Sequence, residues 1–364
     1  MKLKKVLYFS PEFFIDVDIP VLETVSKHYD LLWILLLDNE KFYKKEEIAT
    51  FCKGNNIKYL FIKNAYRRIN PLNIFSSLGI IKIIKKFNPN VYYFEQFSNP
   101  YFTILIKLLI PTKKIIVSVH DVEPHQKHTK FISRLHKKFY LSIFKNYQVF
   151  SNYQAEILER KYSPFKIYII PLNLKDFGEP TLQTKTSSIP EILFFGKIHF
   201  YKGLDILIDA VNKIPKEYKF SITIAGMCNN FEIYKKQIEN DVYNYEIRLI
   251  ENEEIPDLFM NHDYIILPYR DVTQSGPLHI AYFYNIPAIA SDLPGFRDYI
   301  IDNETGFLFE KENAEKLSET LKAIVVNHKD KYPLIKKALK QMVKDQMSQE
   351  SIGKLYIKMF NEIK

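Results

Sequence analysis

Residues 192–205 read ILFFGKIHFYKGLD. The apolar run 192–195 fits a short strand buried on both faces. Gly196 ends it, Lys197 and Lys202 flank a short loop, and Gly203 opens a helix expected over 202–214. A strand, a glycine-bearing turn and a helix form the building unit of a doubly wound α/β sheet. Two ammonium groups beside a helix N-terminus make an anion site, helped by free backbone N–H groups and the helix dipole. A diphosphate is the natural guest of such a loop.

The same pattern continues on both sides. Downstream, strands are expected at 221–225, 247–250, 264–267 and 288–290, with helices at 231–240, 253–260 and 277–284. Upstream, strands are expected at 6–10, 31–37, 59–62, 91–95, 115–120, 148–151 and 167–170. Helices at 74–87 and 131–144 lie between them, with lysines set against apolar faces. The stretch 171–190 reads as a linker: it carries Pro171, Pro180, Pro190, Gly178 and the polar run 183–188. Residues 313–364 read as helical throughout. The expectation is an α/β fold of two Rossmann-like doubly wound domains with a C-terminal helical segment. Ligands of such domains sit beyond the carboxyl ends of the strands, so the cleft between the domains is the expected site.

Composition narrows the function classes. The chain has 364 residues, 47% of them apolar, which excludes a mostly disordered protein. Two cysteines, Cys52 and Cys228, exclude a framework of several disulfides and point to the cytoplasm. No apolar run approaches the roughly 20 residues of a membrane span, and the basic N-terminus reads as a first strand and not a signal peptide. The net charge of +9 is uneven: residues 1–180 carry +12 and residues 181–364 carry −3. A basic half suits an anionic membrane surface, a phosphorylated substrate or nucleic acid. Nucleic acid is not expected, because no recognition motif accompanies the charge. A dinucleotide-dependent oxidoreductase ranks last, since no Gly-x-Gly-x-x-Gly follows an expected strand.

Ten glycines are few for this length, given a usual share of about 7%. Six of them fall at Gly196, Gly203, Gly226, Gly276, Gly295 and Gly306. A second chemical segment, residues 268–277, carries Gln274, Ser275 and Gly276 ahead of Pro277 at a helix start. Its hydroxyls and N–H groups can meet the same anion, although Ser275 can equally serve as a helix cap. The third segment, 117–125, puts His120 and Asp121 at the carboxyl end of a first-half strand. Asp121, Glu123 and His125 invite a metal reading, but no further ligand cluster supports it and no metal is expected.

Together these segments resemble the retaining glycosyltransferases of the two-domain GT-B fold, specifically glycosyltransferase family 4. In that family a Gly-Arg loop followed by Lys-Gly binds the donor diphosphate. The matching positions here are Gly196, Lys197, Lys202 and Gly203, with lysine replacing the family's arginine. Ile224, Ala225 and Gly226 match the family's Ala-Gly strand end near the nucleotide. Pro268 and Tyr269, with Gln274, Ser275 and Gly276, match a Gln-Ser-Gly variant. The paired glutamates of many members are missing: their places fall on Val272 or Thr273 and on Ile280 or Ala281. The first-domain loop 10–20 also lacks the usual glycines and offers Glu12, Asp16 and Asp18 instead.

The resemblance implies an acceptor-side domain at 1–180, a nucleotide-sugar domain at 181–348 and a helix at 349–364 returning to the first domain. It implies a retaining, metal-independent hexosyltransferase with no cofactor. The donor would be a nucleotide-diphosphate sugar of the UDP or GDP type, bound by Gly196, Lys197, Lys202, Gly226, Gln274, Ser275 and Gly276. His120 would be the catalytic-site residue. The acceptor would be a glycan or a polyprenyl-diphosphate-linked sugar of surface polysaccharide biosynthesis, met at the inner face of an anionic membrane. The alternative is a non-catalytic homologue that binds nucleotide sugar or scaffolds an assembly.

Overall fold

The computed structural model describes residues 3–38, 43–63, 66–67, 69–123, 131–181 and 189–363. The chain divides into two compact units, one made of Met1–Asn173 with Gln349–Lys364 and the other of Leu174–Ser348. The division falls inside the proline-bearing stretch, whose polar run 183–188 lies outside the described residues.

The first unit is built on seven parallel strands: β1 (Lys5–Pro11), β2 (Asp30–Leu36), β3 (Lys58–Ile62), β4 (Val91–Phe94), β5 (Ile115–Val119), β6 (Asn146–Val149) and β7 (Lys166–Ile169). Their order is β3-β2-β1-β4-β5-β6-β7. The helices are α1 (Ile15–Val25), α2 (Lys45–Gly54), α3 (Asn73–Phe87), α4 (Pro100–Leu109), α5 (Phe131–Ile143) and α6 (Asn152–Lys161). Alternate residues of β1 explain why both faces need cover. Leu7 and Phe9 join one apolar cluster with Phe94, Phe102 and Leu158, while Val6 and Tyr8 join the other with Trp33, Tyr93 and Tyr356. Local signals set the helix ends. Asn99 caps α4 by accepting from Phe102 N at 2.9 Å, with Pro100 in the first turn. Asn88, left-handed at φ 54°, closes α3 ahead of Pro89.

The second unit carries six parallel strands: β8 (Glu191–Phe195), β9 (Ser221–Ala225), β10 (Tyr243–Glu246), β11 (Tyr264–Leu267), β12 (Ala288–Ser291) and β13 (Gly306–Phe309). Their order is β10-β9-β8-β11-β12-β13. Around them lie α7 (Leu204–Asn212), α8 (Glu232–Lys235), α9 (Ile255–Met260), α10 (Gly276–Phe283), α11 (Pro294–Arg297) and the long α12 (Ala314–Met342). After a π-helical turn at Val343–Met347, the chain enters α13 (Gln349–Glu362), which packs on α1 of the first unit. Lys4 Nζ anchors the end of α13 by donating to the carbonyls of Phe360 and Ile363, both at 2.7 Å.

Three expectations need correction, and one strand lay outside them. The strand expected at 247–250 lies at Tyr243–Glu246, because the sheet edge takes a half-exposed segment that carries no apolar run. The helix expected at 231–240 contracts to the single turn of α8. β13 adds an edge strand that the sequence pattern did not separate from the loop before it. The expected loop at 10–20 is largely α1, entered through a 3-10 turn at Glu12–Phe14. Pro20 sits inside α1 and removes one helix hydrogen bond there. Burial of Ile15, Val21, Leu22 and Val25 offsets that loss.

Candidate functional site

In the second sheet, β8 lies between β9 and β11, so the connections diverge from its carboxyl end. Such a switch point leaves a crevice between the two diverging loops. Here three backbone segments meet there without side chains between them. A Cβ on Gly226 would lie 2.3 Å from the carbonyl oxygen of Gly196, and one on Gly203 would lie 1.9 Å from that of Pro268. Gly203 also has φ +68°, a left-handed conformation that other residues adopt at a cost. The loops after β8, β9 and β11 therefore pack backbone against backbone, and only glycine fits at those contacts.

Lys202 occupies the space this arrangement leaves. Its Nζ lies 2.8 Å from where a Cβ on Gly196 would be, and it donates to the carbonyl of Phe195 at 3.2 Å. The ring of Tyr269 lies 5.6 Å away. Lys202 is only 6% exposed. Burial pushes its ammonium pKa from 10.5 down to about 8. Among the described residues no carboxylate pairs with it. A buried cation held by one carbonyl and one aromatic face is a poorly compensated charge, and an arriving anion would compensate it.

The start of α10 borders the same place. Pro277 Cγ is 3.8 Å from the built Cβ position of Gly196, while a Cβ on Gly276 would meet no atom within 4 Å among the described residues. Of the first N–H groups of α10, Pro277 offers none and that of Leu278 bonds Ser275, so that of Gly276 is the one left without a partner within the helix. Ser275 caps that helix: its hydroxyl accepts from Leu278 N at 3.4 Å. Its side chain is thus engaged in folding, and its contribution to an anion is left to the backbone. Gln274 is half-buried, and Lys197 is exposed on the loop after β8. The structure brings Gly196, Gly203, Gly226, Lys202 and the head of α10 together at one sheet edge.

Arg270, which the sequence reading passed over, ties this edge together. Its guanidinium bonds Asp205 in bidentate fashion, at 2.9 and 2.6 Å, and lies 3.3 Å from Glu312. It also donates to the Phe200 carbonyl at 2.8 Å and lies 4.0 Å over the Phe200 ring. The loop after β11 is thereby pinned to the start of α7. The signal was available, because Asp205 and Arg270 stand in the two segments already singled out. His279, also missed, is buried in α10 and bonds the Ser275 carbonyl at 2.8 Å. Burial pushes its pKa down to about 4, so it stays neutral at physiological pH. At the positions where paired glutamates were sought, Val272, Ile280 and Ala281 are core residues, and Thr273 alone is half-buried.

His120 belongs to the first unit, one residue beyond β5. Its ring stacks on Phe14 at 3.8 Å and 7°, and lies 4.2 Å from the ring of Phe150. These two rings fix the imidazole plane. The backbone carbonyl of nearby Asp121 accepts from Lys137, and the Glu123 carboxylate pairs with Lys161. Among the described residues no group of three or more His, Cys, Asp or Glu could hold a metal ion; His125 lies outside them.

The acidic loop residues resolve differently. Asp18 is wholly buried, and its Oδ1 accepts from the Tyr8 hydroxyl at 2.8 Å. The same hydroxyl lies 3.4 Å from Oε1 of Glu95, which is 3% exposed. Burial, and for Glu95 the charge of Asp18, push both carboxyls well above their usual range. The pair therefore retains a proton where isolated carboxylates would have lost theirs.

Comparison with known proteins places this geometry. Residues 183–341 match the family model described as "Glycosyl transferases group 1". An uncharacterized 41.2 kDa protein in the cps region of Klebsiella pneumoniae is 29% identical over 130 residues, covering 36% of this chain and 35% of that protein. The chain spans less than half the length of the curated relatives it matches, from 35% to 47%. Among solved structures, a glycosyltransferase from Rickettsia africae ESF-5 superposes with a TM-score of 0.76 at 18% identity, covering 100% of this chain and 99% of that one. Anabaena HepE, solved with UDP and glucose, gives a TM-score of 0.67 at 11% identity, covering 98% and 99%. At these identities the likeness concerns the fold alone: two parallel-sheet Rossmann-like units, as in the GT-B fold. The stretch matched by that family model, residues 183–341, holds the glycine contacts and Lys202.

Proposed function

We propose that the chain transfers a sugar from a nucleotide-diphosphate sugar to a glycan or polyprenyl-diphosphate-linked acceptor, with retention at the anomeric carbon, in surface polysaccharide biosynthesis. The observation that carries this reading is the buried Lys202 ammonium over Gly196, beside the open head of α10. The bond from the anomeric carbon to the diphosphate oxygen breaks as the acceptor oxygen bonds the same carbon from the same face. The acceptor's proton leaves with the diphosphate. Lys202, Lys197 and the backbone N–H groups of Ser275 and Gly276 stabilise the charge that grows on the departing oxygen. Such preorganised contacts are worth about 10²–10³ in rate each. These cations take the charge-neutralising role, so turnover is expected to persist in EDTA. His120, held between Phe14 and Phe150, orients the sugar or acceptor.

The first unit supports a membrane-borne acceptor. Phe75, Leu78 and Ile83 of α3, Leu108 of α4 and Phe131 and Leu135 of α5 are exposed large apolar residues. Exposed Lys82, Lys85, Lys86, Lys107, Arg134 and Lys138 share those helices. Apolar side chains interleaved with cations suit the headgroup layer of an anionic membrane, at about 1 kcal/mol per basic residue. No helix among the described residues is long and apolar enough to cross one.

The test is turnover. Purified protein is offered UDP- and GDP-sugars with polyprenyl-diphosphate-linked sugars, and nucleoside diphosphate release is followed together with product configuration. Release with one donor, and a product retaining the donor's anomeric configuration, is the expected result. A non-catalytic homologue is the second reading, favoured by the core placement of Val272, Ile280 and Ala281. It predicts nucleotide binding with neither transfer nor donor hydrolysis.

A further inference from the structure

Helix α10 holds a buried polar group that the proposed transfer leaves unused. His279 is 1% exposed, and its Nδ1 lies 2.8 Å from the Ser275 carbonyl oxygen. A carbonyl only accepts, so Nδ1 carries the ring proton. Nε2 is buried with no hydrogen-bond partner among the described residues. An apolar side chain would pack at this position without that cost. The rings of His279 and Tyr299 meet edge to face, 5.2 Å apart, and the Tyr282 hydroxyl donates to the Tyr299 carbonyl at 3.0 Å. The imidazole is thus fixed in one orientation, with its proton on Ser275. It is neutral at physiological pH, so it serves by direction and not by charge.

Satisfying the Ser275 carbonyl does not require this bond. That oxygen already accepts from Leu278 N at 3.1 Å and from His279 N at 3.3 Å, and a carbonyl has two lone pairs. His262 makes the same bond, to the Leu258 carbonyl at 2.6 Å, but just past the end of α9, where the last carbonyls lack donors within the helix. What the His279 bond adds is orientation. The Ser275–Gly276 peptide is planar and trans, so its N–H points opposite to its C=O. A ring that holds the carbonyl along the helix therefore holds the Gly276 N–H out of the helix start. A Cβ on Gly276 would meet no atom within 4 Å among the described residues, so the approach to that N–H is open. The next residue, Pro277, has its Cγ 3.8 Å from the built Cβ position of Gly196, and Lys202 Nζ lies 2.8 Å from the same position. A further donor on the carbonyl also polarises the peptide and strengthens its N–H as a donor.

We propose that His279 is a positioning residue of the diphosphate site: its Nδ1–H bond to the Ser275 carbonyl sets the Ser275–Gly276 peptide so that the Gly276 N–H meets the anion beside Lys202. This role rests on the reading of that edge as a diphosphate site. The chain has only ten glycines, so isotopic labelling of glycine nitrogen in the full protein gives a sparse NMR spectrum, in which Gly276→Ala assigns the Gly276 amide. The probes are UDP, GDP and inorganic pyrophosphate, with affinities measured by calorimetry. A probe that binds is expected to move the Gly276 amide proton downfield. His279→Leu and His279→Gln should bind it about 10-fold more weakly, as for a weakened hydrogen bond to a charged group, and leave that amide unmoved. His279→Asn should restore both, because its amide nitrogen falls near the place of Nδ1. Asn55 and Asn261 already bond carbonyls four residues back, at 3.0 and 2.8 Å. Glutamine carries its amide one bond further out, and its contrast with asparagine decides the matter even where the leucine variant fails to fold. A bound probe that leaves the Gly276 amide of the unsubstituted protein unmoved, or equal affinity in the asparagine and glutamine variants, would overturn the positioning role and leave the site intact. Failure of all three probes to bind the unsubstituted protein would instead overturn the diphosphate site, and this role with it.

Discussion

Lys202→Met should stabilise the ligand-free protein near neutral pH while impairing the site. The ammonium pKa falls from 10.5 to about 8 because the group is buried. At about 1.4 kcal/mol per tenfold change, that corresponds to about 3 kcal/mol against the charged folded form. The folded state binds fewer protons than the unfolded state between about pH 8 and 10.5. Its stability therefore rises with pH through that window, and the full cost is present below it. Methionine fills a similar volume without charge and forfeits one hydrogen bond to the Phe195 carbonyl, worth about 1 kcal/mol. The net gain should be about 2 kcal/mol at pH 7 and should vanish toward pH 10. Urea titrations of both proteins at several pH values measure it through the midpoint, with the slope m as a check on the unfolding mechanism. A variant less stable than its parent at pH 7, by an amount independent of pH, would refute the reasoning.

Three further outcomes follow from named contacts. Gly203→Ala puts a Cβ 1.9 Å from the Pro268 carbonyl at φ +68°, so a loss of about 3–5 kcal/mol is expected in thermal or urea unfolding; a change within error would contradict the packing at the sheet edge. Arg270→Ala and Asp205→Ala should show a coupling energy of about 1–3 kcal/mol in a double-mutant cycle, and Arg270→Lys should fail to restore stability because it lacks the fork; strict additivity would dissolve the proposed pin. The raised Asp18 and Glu95 carboxyls mean that the folded first unit holds more protons than the unfolded chain above about pH 4. Its stability should fall as pH rises from there toward and past neutral. Asp18→Asn should flatten that fall, whereas an equally steep profile in the variant would place the titration elsewhere.

Most of the fold was legible because parallel strands buried on both faces announce themselves as apolar runs. Residues 31–37 and 192–195 are such runs, and both fall on strands. Edge strands lack that signal. Tyr243–Glu246 exposes two of its four residues, so the apolar run at 247–250 drew the expectation away from it. Helix α1 was obscured by Pro20 and by three acidic residues, whose burial or exposure depends on partners distant in sequence. Asp18 is buried because Tyr8 and Glu95 meet it, and Glu95 is far along the chain. At the candidate site, the glycines were readable as backbone contacts without the identity of what they contact. The engagement of Arg270 with Asp205 needed the fold, since one lies on the loop after β11 and the other in the first turn of α7. Ser275 shows the limit of motif reading: the same residue type serves an anion or a helix cap, and its hydroxyl caps α10.

The central claim is that the Lys202 edge binds the diphosphate of a sugar donor. Thermal unfolding with UDP, GDP, ADP, TDP and CMP, in EDTA, tests it most directly. A ligand present at about 100 times its dissociation constant adds about 2.7 kcal/mol, which appears as a shift of a few degrees. One diphosphate is expected to stabilise the protein and to lose that effect in Lys202→Met. A folded protein that none of these nucleotides stabilises, or one stabilised equally with and without the Lys202 ammonium, would contradict the account.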